Sequence, residues 1–531
     1  MNTLRGNRMM RTSLFILILF LTGASNAQLL KDSEKYSSFL FYMKHYYVDS
    51  VNSAKMVEDA IKYELKQLDP HSIYIPADEV QKMNEPLEGN FEGIGISFNI
   101  LNDTLFVIAP IPGGPSERVG ILAGDRILKV DGENIAGIGL TNEDVYRLLR
   151  GEKGTKVTVS VKRRLKRELI DFAIVRDKIP IYSLDASYMI NENLGYIKLN
   201  RFAQTTMKEF LDAAIVLVDS GAVDLILDLT GNSGGYLEMA IALADQFLDN
   251  GKLIVYTEGI NSPRNERYAR SGNLFEKGRL IVLIDEGSAS ASEIVAGAVQ
   301  DWDRGLLVGR RSFGKGLVQT KLRLPDDSEI RLTSARYYTP SGRLIQKPYN
   351  DGMEEYYQEI YHRYSNGELS NRDSINFPDS LKYSTLIQKR TVFGGGGIMP
   401  DIFVPLDTSD YSDYLSDLIR QGILNQFVLE YVDKNRKDLR ETYNTFQDFR
   451  QDFVVDDKLL QKLVAYAREQ DLPENETEFM TSQKRIAVLI KAYIARDLWT
   501  TSEFYEIANE DNEIFLKALE VMNNWDTYGI K

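Results

Sequence analysis

The sequence predicts an α/β protein built around a buried sheet, with a smaller β-rich segment ahead of it and helical segments at both ends. Two patterns carry this. From about residue 180, apolar strands at Leu194–Leu199, Val223–Leu229 and Leu280–Ile284 alternate with helical stretches, as expected for a sheet covered by helices. Before them, short strands, paired glycines and small helices fill about 90 residues, the pattern of a compact, partly open β-barrel. At 531 residues the chain exceeds a single core, and its 43% hydrophobic content allows several.

Taken in order, Arg5, Arg8 and Arg11 precede the apolar run Leu14–Leu21, and Ala24-Ser-Asn-Ala27 follows. That order of charge, apolar run and small residues predicts a signal peptide over 1–27 and an exported protein, periplasmic or otherwise extracytoplasmic. The apolar run is shorter than the roughly 20 residues of a membrane span, which leaves an uncleaved anchor as the alternative. Residues 28–87 read as a helical segment: Val57–Leu68 places apolar residues at 57, 60, 61, 65 and 68, and Pro70 stops the helix. In the β-rich segment, 88–176, Phe91–Phe98, Leu105–Ala109 and Lys156–Arg163 are strands, and a helix over Thr141–Arg150 is capped by Thr141 or Asn142.

The α/β segment spans 177–405, with helices at Thr205–Asp219 and Ser292–Gln300 and another ending at Leu248. Within it, 346–393 is polar, tyrosine-rich and without clear periodicity, and reads as an insertion closed by Gly394–Gly397. The tail, 406–531, is amphipathic and is predicted to be a separate helical unit.

Composition excludes several functions. A formal charge of −14 and a pI near 5.0 argue against nucleic-acid partners, and Lys162–Arg167 reads as a solvated hairpin end. With no cysteine there is no disulfide, thiolate metal site or thiol nucleophile. His45, His71 and His362 form no cluster, so neither metal nor cofactor is expected, and His71 reads as structural.

The chemistry concentrates at Asp285-Glu-Gly-Ser-Ala-Ser-Ala-Ser-Glu293. A serine at a strand-to-helix junction lies beside unpaired amides suited to an oxyanion, although such serines are also ordinary helix caps. The scarcity of histidine directs the search for a base to Lys315, held between Gly314 and Gly316, where a solvated turn is the alternative. Arg310 and Arg311 could favour its neutral form, and Gln319 could orient the amine. Gly231-Asn-Ser-Gly-Gly235 could supply oxyanion amides; it lacks the ending of a phosphate loop, and the serine cluster lacks G-x-S-x-G.

Leu68–Ser72, Gly93–Ile96, Leu227–Gly235, Gly287–Glu293, Phe313–Gly316 with Gln319, and Gly397–Asp401 occur in one order from about 35 to 405. In that order the chain resembles the C-terminal processing peptidases, secreted serine peptidases that carry a PDZ domain. The resemblance implies a crotonase/ClpP-like α/β peptidase core with an inserted PDZ domain. It implies Ser290 as nucleophile, 25 positions before Lys315 as general base, with Gln319 orienting the lysine. Ala291 and either Gly234 or Gly235 would hold the oxyanion.

In the PDZ-like segment, Gly93, Ile94, Gly95 and Ile96 would form the carboxylate-binding loop, with Phe98 either in the apolar pocket or in the core. Thr230 and Ser233 depart from the arginine and proline common in that family, and Arg310-Arg311 from a commonly acidic pair. The expected partners are proteins or peptides with apolar C-termini; a homodimer and an adaptor protein are further expectations. Two other readings stand beside these: a catalytically silent PDZ-bearing scaffold, and acyl hydrolysis on a crotonase-like core.

Overall fold

The structure, a computed structural model, describes residues 27–101, 103–163, 166–270 and 274–528. The expected leader, apart from Ala27, lies outside the described residues. The described chain divides into two compact units, one ending at Tyr74 and the other beginning at Ile75. Among the described residues, no helix is long and apolar enough to cross a membrane.

In the first unit, a helix over 27–46 is followed by a helix over Ser53–Lys66, capped by Asn52, whose side chain accepts from the Lys55 amide at 3.1 Å. The Leu68–Ser72 motif is a turn closed by Asp69. Its carboxylate accepts from the amides of His71 (2.8 Å) and Ser72 (3.0 Å) and from the Ser72 hydroxyl (2.6 Å). In that motif Asp69 holds the backbone of both His71 and Ser72.

The second unit is organised by a six-stranded sheet whose spatial order equals its chain order: β1 (Leu184–Met189), β2 (Leu194–Leu199), β3 (Asp224–Asp228), β4 (Leu280–Ile284), β5 (Leu306–Gly309) and β6 (Ile402–Phe403). β1 is antiparallel to β2, and every later pair is parallel. Helices α1 (Thr206–Asp219), α2 (Leu237–Asp245) and α3 (Ala291–Asp301) connect successive parallel strands.

Side chains alternate across each strand. Ile197, Leu227, Val282 and Leu307 face the core that contains α1–α3, whereas Tyr196, Ile226, Ile281 and Val308 belong to the other core. Burying each such side chain contributes about 1.5–3 kcal/mol, so two covered faces supply most of the sheet's stability.

The β-rich segment is an antiparallel sheet in the order Ile96–Leu101, Thr104–Pro110, Arg126–Val130, Lys156–Lys162, Ile170–Val175, closed over Ile94, Leu105, Ile127, Val159 and Ile174. Its helix Asn142–Leu149 is capped by Thr141 rather than Asn142. The Thr141 hydroxyl accepts from the Asp144 amide, and the Asp144 carboxylate accepts from the Thr141 amide, both at 3.2 Å. Two hairpins, Leu253–Gly259 with Ser262–Tyr268 and Leu317–Arg323 with Glu329–Tyr338, pair through Leu253–Gly259 and Glu329–Tyr338 into a second antiparallel sheet.

Two regions differ from expectation. The polar insertion contains a regular helix, α4 (Met353–Ser365), whose buried residues are Tyr356 and Arg363. With a tyrosine and an arginine on its inner face, it carries no apolar periodicity to read. The tail has its own core from Tyr414 to Ile507, but its final helix, Glu513–Asn523, packs Ile514, Phe515, Ala518 and Val521 against the second face of the six-stranded sheet.

Candidate active site

β3 and β4 are neighbours, and the loops leaving their carboxyl ends meet above the sheet edge. Leaving β4, Asp285–Ala289 leads to Ser290, the residue that caps α3. Ser290 has φ 53° and ψ −110°, a conformation costly for any side chain by about 1–3 kcal/mol. It is held there on both peptide groups. Its amide donates to Glu293 Oε2 (2.8 Å), and its carbonyl accepts from the Glu293 amide (2.9 Å) and the Tyr337 hydroxyl (3.1 Å).

The neighbouring serines do different work. Ser288 Oγ donates to Leu229 O, and Ser292 Oγ donates to Asn232 O, each at 2.8 Å, so both stitch this loop to the one leaving β3. Both are fully buried, whereas Ser290 lines an open cleft. Ser292 lies inside the first helical turn, and the capping position belongs to Ser290.

The loop from β3 is shaped by Asn232, whose Oδ1 accepts from the Gly234 amide (2.9 Å) while its Nδ2 donates to Leu199 O (2.9 Å). Gly234 has φ 99°, and a Cβ there would stand 2.8 Å from both Ala289 O and Ser290 Cβ. Only glycine permits so close an approach. Of the amides expected to hold an oxyanion, that of Gly234 is therefore committed to the loop. Among the described residues, the amides of Gly235 and Ala291 donate to no protein group.

Lys315 lies in Ser312–Gly316, a stretch without regular secondary structure. The inner side of this loop is gripped by Glu293. Its Oε1 accepts from Ser312 Oγ (2.6 Å) and the Gly314 amide (2.7 Å), and its Oε2 from the Lys315 amide (2.9 Å). One carboxylate oxygen thus receives the backbone of both Ser290 and Lys315. Glu293 is fully buried, and burial pushes its pKa up against the four hydrogen bonds that pull it down.

The sequence alone marks no role for Glu293 beside the serine and the lysine. Its signal was available: Ser290-x-x-Glu293 is a capping-box pattern, and Glu293 is the one charge opening an otherwise apolar helix start.

Ser290, Ala291, Gly234, Gly235, Lys315 and Gln319 line one cleft of about 670 Å3. Leu237, Met239, Ile294 and Leu317 add apolar surface to it, and Lys321 and Arg331 add cations. Gln319 donates from Nε2 to Leu317 O and Thr333 Oγ1, both at 3.3 Å. A carbonyl can only accept, so the nitrogen end is fixed there and the oxygen end is left to accept.

Arg310 and Arg311 do not act as bare cations. Arg310 Nε pairs with Glu286 (2.7 Å), and Arg311 Nη2 with Glu368 (2.5 Å) and Glu359 (3.4 Å).

In the β-rich segment, Ile94, Gly95 and Ile96 line a pocket of about 50 Å3 together with Phe91, Phe98 and Tyr146. Phe98 serves both expectations, since it also packs on the barrel core. Gly93 lies outside the pocket, in the strand Asn90–Gly93, opposite Asp177. Among the described residues, no three His, Asp or Glu side chains form a group that could hold a metal.

Comparison with known proteins identifies the families to which parts of the chain are similar. Residues 193–354 match peptidase family S41, residues 106–163 match the PDZ domain, and residues 414–500 match a family of unknown function. The carboxy-terminal-processing protease of Bartonella bacilliformis is 38% identical over 340 residues, 63% of this chain and 77% of that protein. The carboxy-terminal processing protease CtpA of Bacillus subtilis is 36% identical over 339 residues, 62% of this chain and 72% of its own. The solved photosystem II D1 C-terminal processing protease is 30% identical, with 58% of this chain and 82% of that one covered at a TM-score of 0.34. The chain belongs to the C-terminal processing peptidases of family S41, and is a serine-type peptidase with a PDZ domain.

Proposed function

We propose that this chain is an exported endopeptidase that captures the C-terminal tail of a protein in its PDZ pocket and cleaves peptide bonds with Ser290 and Lys315. One observation carries the reading: Glu293 Oε2 receives the amides of both residues, and both line the same cleft. In the proposed sequence the neutral amine of Lys315 takes the Ser290 Oγ proton as Oγ attacks the substrate carbonyl. The amides of Gly235 and Ala291 receive the developing oxyanion. The protonated amine then gives its proton to the leaving nitrogen, and water repeats the steps on the acyl-enzyme. Gln319, anchored through its nitrogen, offers Oε1 to the lysine amine. The PDZ pocket, lined by Ile94, Ile96, Phe98 and Leu149, suits a small apolar terminal side chain. The leader pattern over 1–27 supports export.

Mass spectrometry tests these readings together. The intact exported protein should begin at Gln28; a retained Met1 would remove the cleaved-leader reading. Ser290→Ala and Lys315→Ala should each slow cleavage of an unstructured protein with an apolar C-terminus at least about 1000-fold, with the melting temperature unchanged. Full activity in either variant overturns the dyad. Amidation of the substrate's terminal carboxylate should slow cleavage about tenfold, close to the loss of one charge-assisted hydrogen bond. An unchanged rate removes tail capture.

A further inference from the structure

The peptidase match ends at residue 354, just inside α4, and neither the reaction nor the PDZ pocket uses this helix. We propose that α4 and the segment leading into it clamp the lysine loop from outside, with Arg363 as the positioning residue that keeps Lys315 aligned with Ser290. The inference rests on the Ser290–Lys315 reading above.

An irregular loop containing two glycines cannot hold a side chain in register by itself, so its peptide groups must be held by something else. On the inner side, Glu293 takes the amides of Gly314 and Lys315. On the outer side the carbonyls are taken in turn. Arg363 donates from Nη1 to Ser312 O (2.8 Å) and from Nη2 to Phe313 O (3.2 Å), and the Lys347 amide donates to Gly314 O (2.9 Å). The Gly316 amide is received by Gln346 Oε1 at 2.7 Å. A carboxylate on the amide side and a guanidinium on the carbonyl side therefore fix the loop between them.

The clamp is itself braced. Arg363, fully buried, donates from Nε to Glu359 Oε1 (2.6 Å), and Lys347 Nζ reaches Glu359 Oε2 (3.0 Å). That ammonium lies 4.1 Å from the ring centre of Phe313 and 4.2 Å from that of Tyr356, so the loop's aromatic side chain is pinned as well. Arg363 and Lys347 pull the Glu359 pKa below its ordinary value despite burial, which keeps the brace charged. The planar fork of arginine matches this geometry, because one guanidinium spans two successive carbonyls, which an ammonium cannot do from one position.

The test is Arg363→Lys, which keeps the charge and the Glu359 pair but loses the fork, beside Arg363→Gln. Because a buried arginine replaced by glutamine can cost the fold, Lys347→Met provides a third variant that leaves Arg363 in place. Folded protein is quantified by its melting transition. The clamp predicts that Arg363→Lys melts near the native temperature while kcat falls about 10- to 100-fold and KM changes less than about twofold. The rate at which a small serine-directed acylating probe labels Ser290 should fall in step, and Lys347→Met should fall less.

Native kcat and probe rate in folded Arg363→Lys overturn the clamp, as does a lowered melting temperature with native kcat per folded molecule. Lys315→Ala in the same assay separates the two readings. If it is inactive while Arg363→Lys keeps full activity, the clamp fails alone; if it keeps activity, the dyad fails.

Discussion

The serine side and the lysine side of the cleft are rigid for different reasons. Ser290 is delivered by regular structure: β4 ends six positions before it, α3 starts immediately after it, and the adjacent β3 loop is sewn to it by Ser288 and Ser292. Lys315 has no such frame. Its loop is held by groups from elsewhere in the chain, Glu293, Lys347 and Arg363, and by Ile398, whose carbonyl accepts from the Ser312 amide at 3.0 Å. Loosening the serine side means disturbing a packed sheet. Loosening the lysine side means removing a few polar contacts, so Lys315 is the more easily displaced of the two residues.

Glu293 is where the two sides meet, and its variants should have the largest effect on the contrast. In Glu293→Gln an amide NH2 must face one or more of the donors now satisfied, at a cost of about 1–3 kcal/mol for each one stranded. The expected result is an unfolding free energy, read from urea titration, lower by that amount and a kcat reduced about 100-fold. Native kcat would show that the two loops keep register without their common acceptor.

Gly234→Ala addresses the serine side alone. Its Cβ would press within 2.8 Å of Ser290 Cβ at φ 99°, so kcat should fall about tenfold while the lysine loop keeps its contacts. No change in kcat would reveal slack in the serine loop.

The smallest effect is in pH. Burial raises the Glu293 pKa, so the folded chain holds that proton to higher pH than the unfolded chain. The stability linked to it is full below the ordinary glutamate value of about 4.3 and is lost as pH rises through the raised folded value. Urea midpoints across that window should decline in the native protein and flatten in Glu293→Gln. Identical slopes would place the titration elsewhere.

What could be read from the sequence follows the same division. The serine cluster stands at a strand–loop–helix junction whose signals are all local, so the junction and the glycine loop were accessible from periodicity, whereas Ser290 was separated from Ser288 and Ser292 only by the family resemblance. The lysine side was only half accessible. Lys315 could be singled out between its glycines, but the polar supports Glu293, Lys347 and Arg363 lie 22 to 48 positions away, where no periodicity marks them. Arg310 and Arg311 looked like free cations because their partners Glu286, Glu359 and Glu368 are distant in sequence. Thr230 is a similar case. A cation does stand beside it, brought from β2: Lys198 Nζ lies 2.9 Å from Thr230 Oγ1 and 3.1 Å from Asp228.

The final helix, Glu513–Asn523, has a consequence in time. It covers the face of the six-stranded sheet formed by Tyr196, Ile226, Ile281 and Val308, strands that leave the ribosome some 200 to 300 residues earlier. Until that helix has emerged, the sheet bearing Ser290 has one apolar face without its cover. The sheet therefore gains its full apolar cover only when this helix docks.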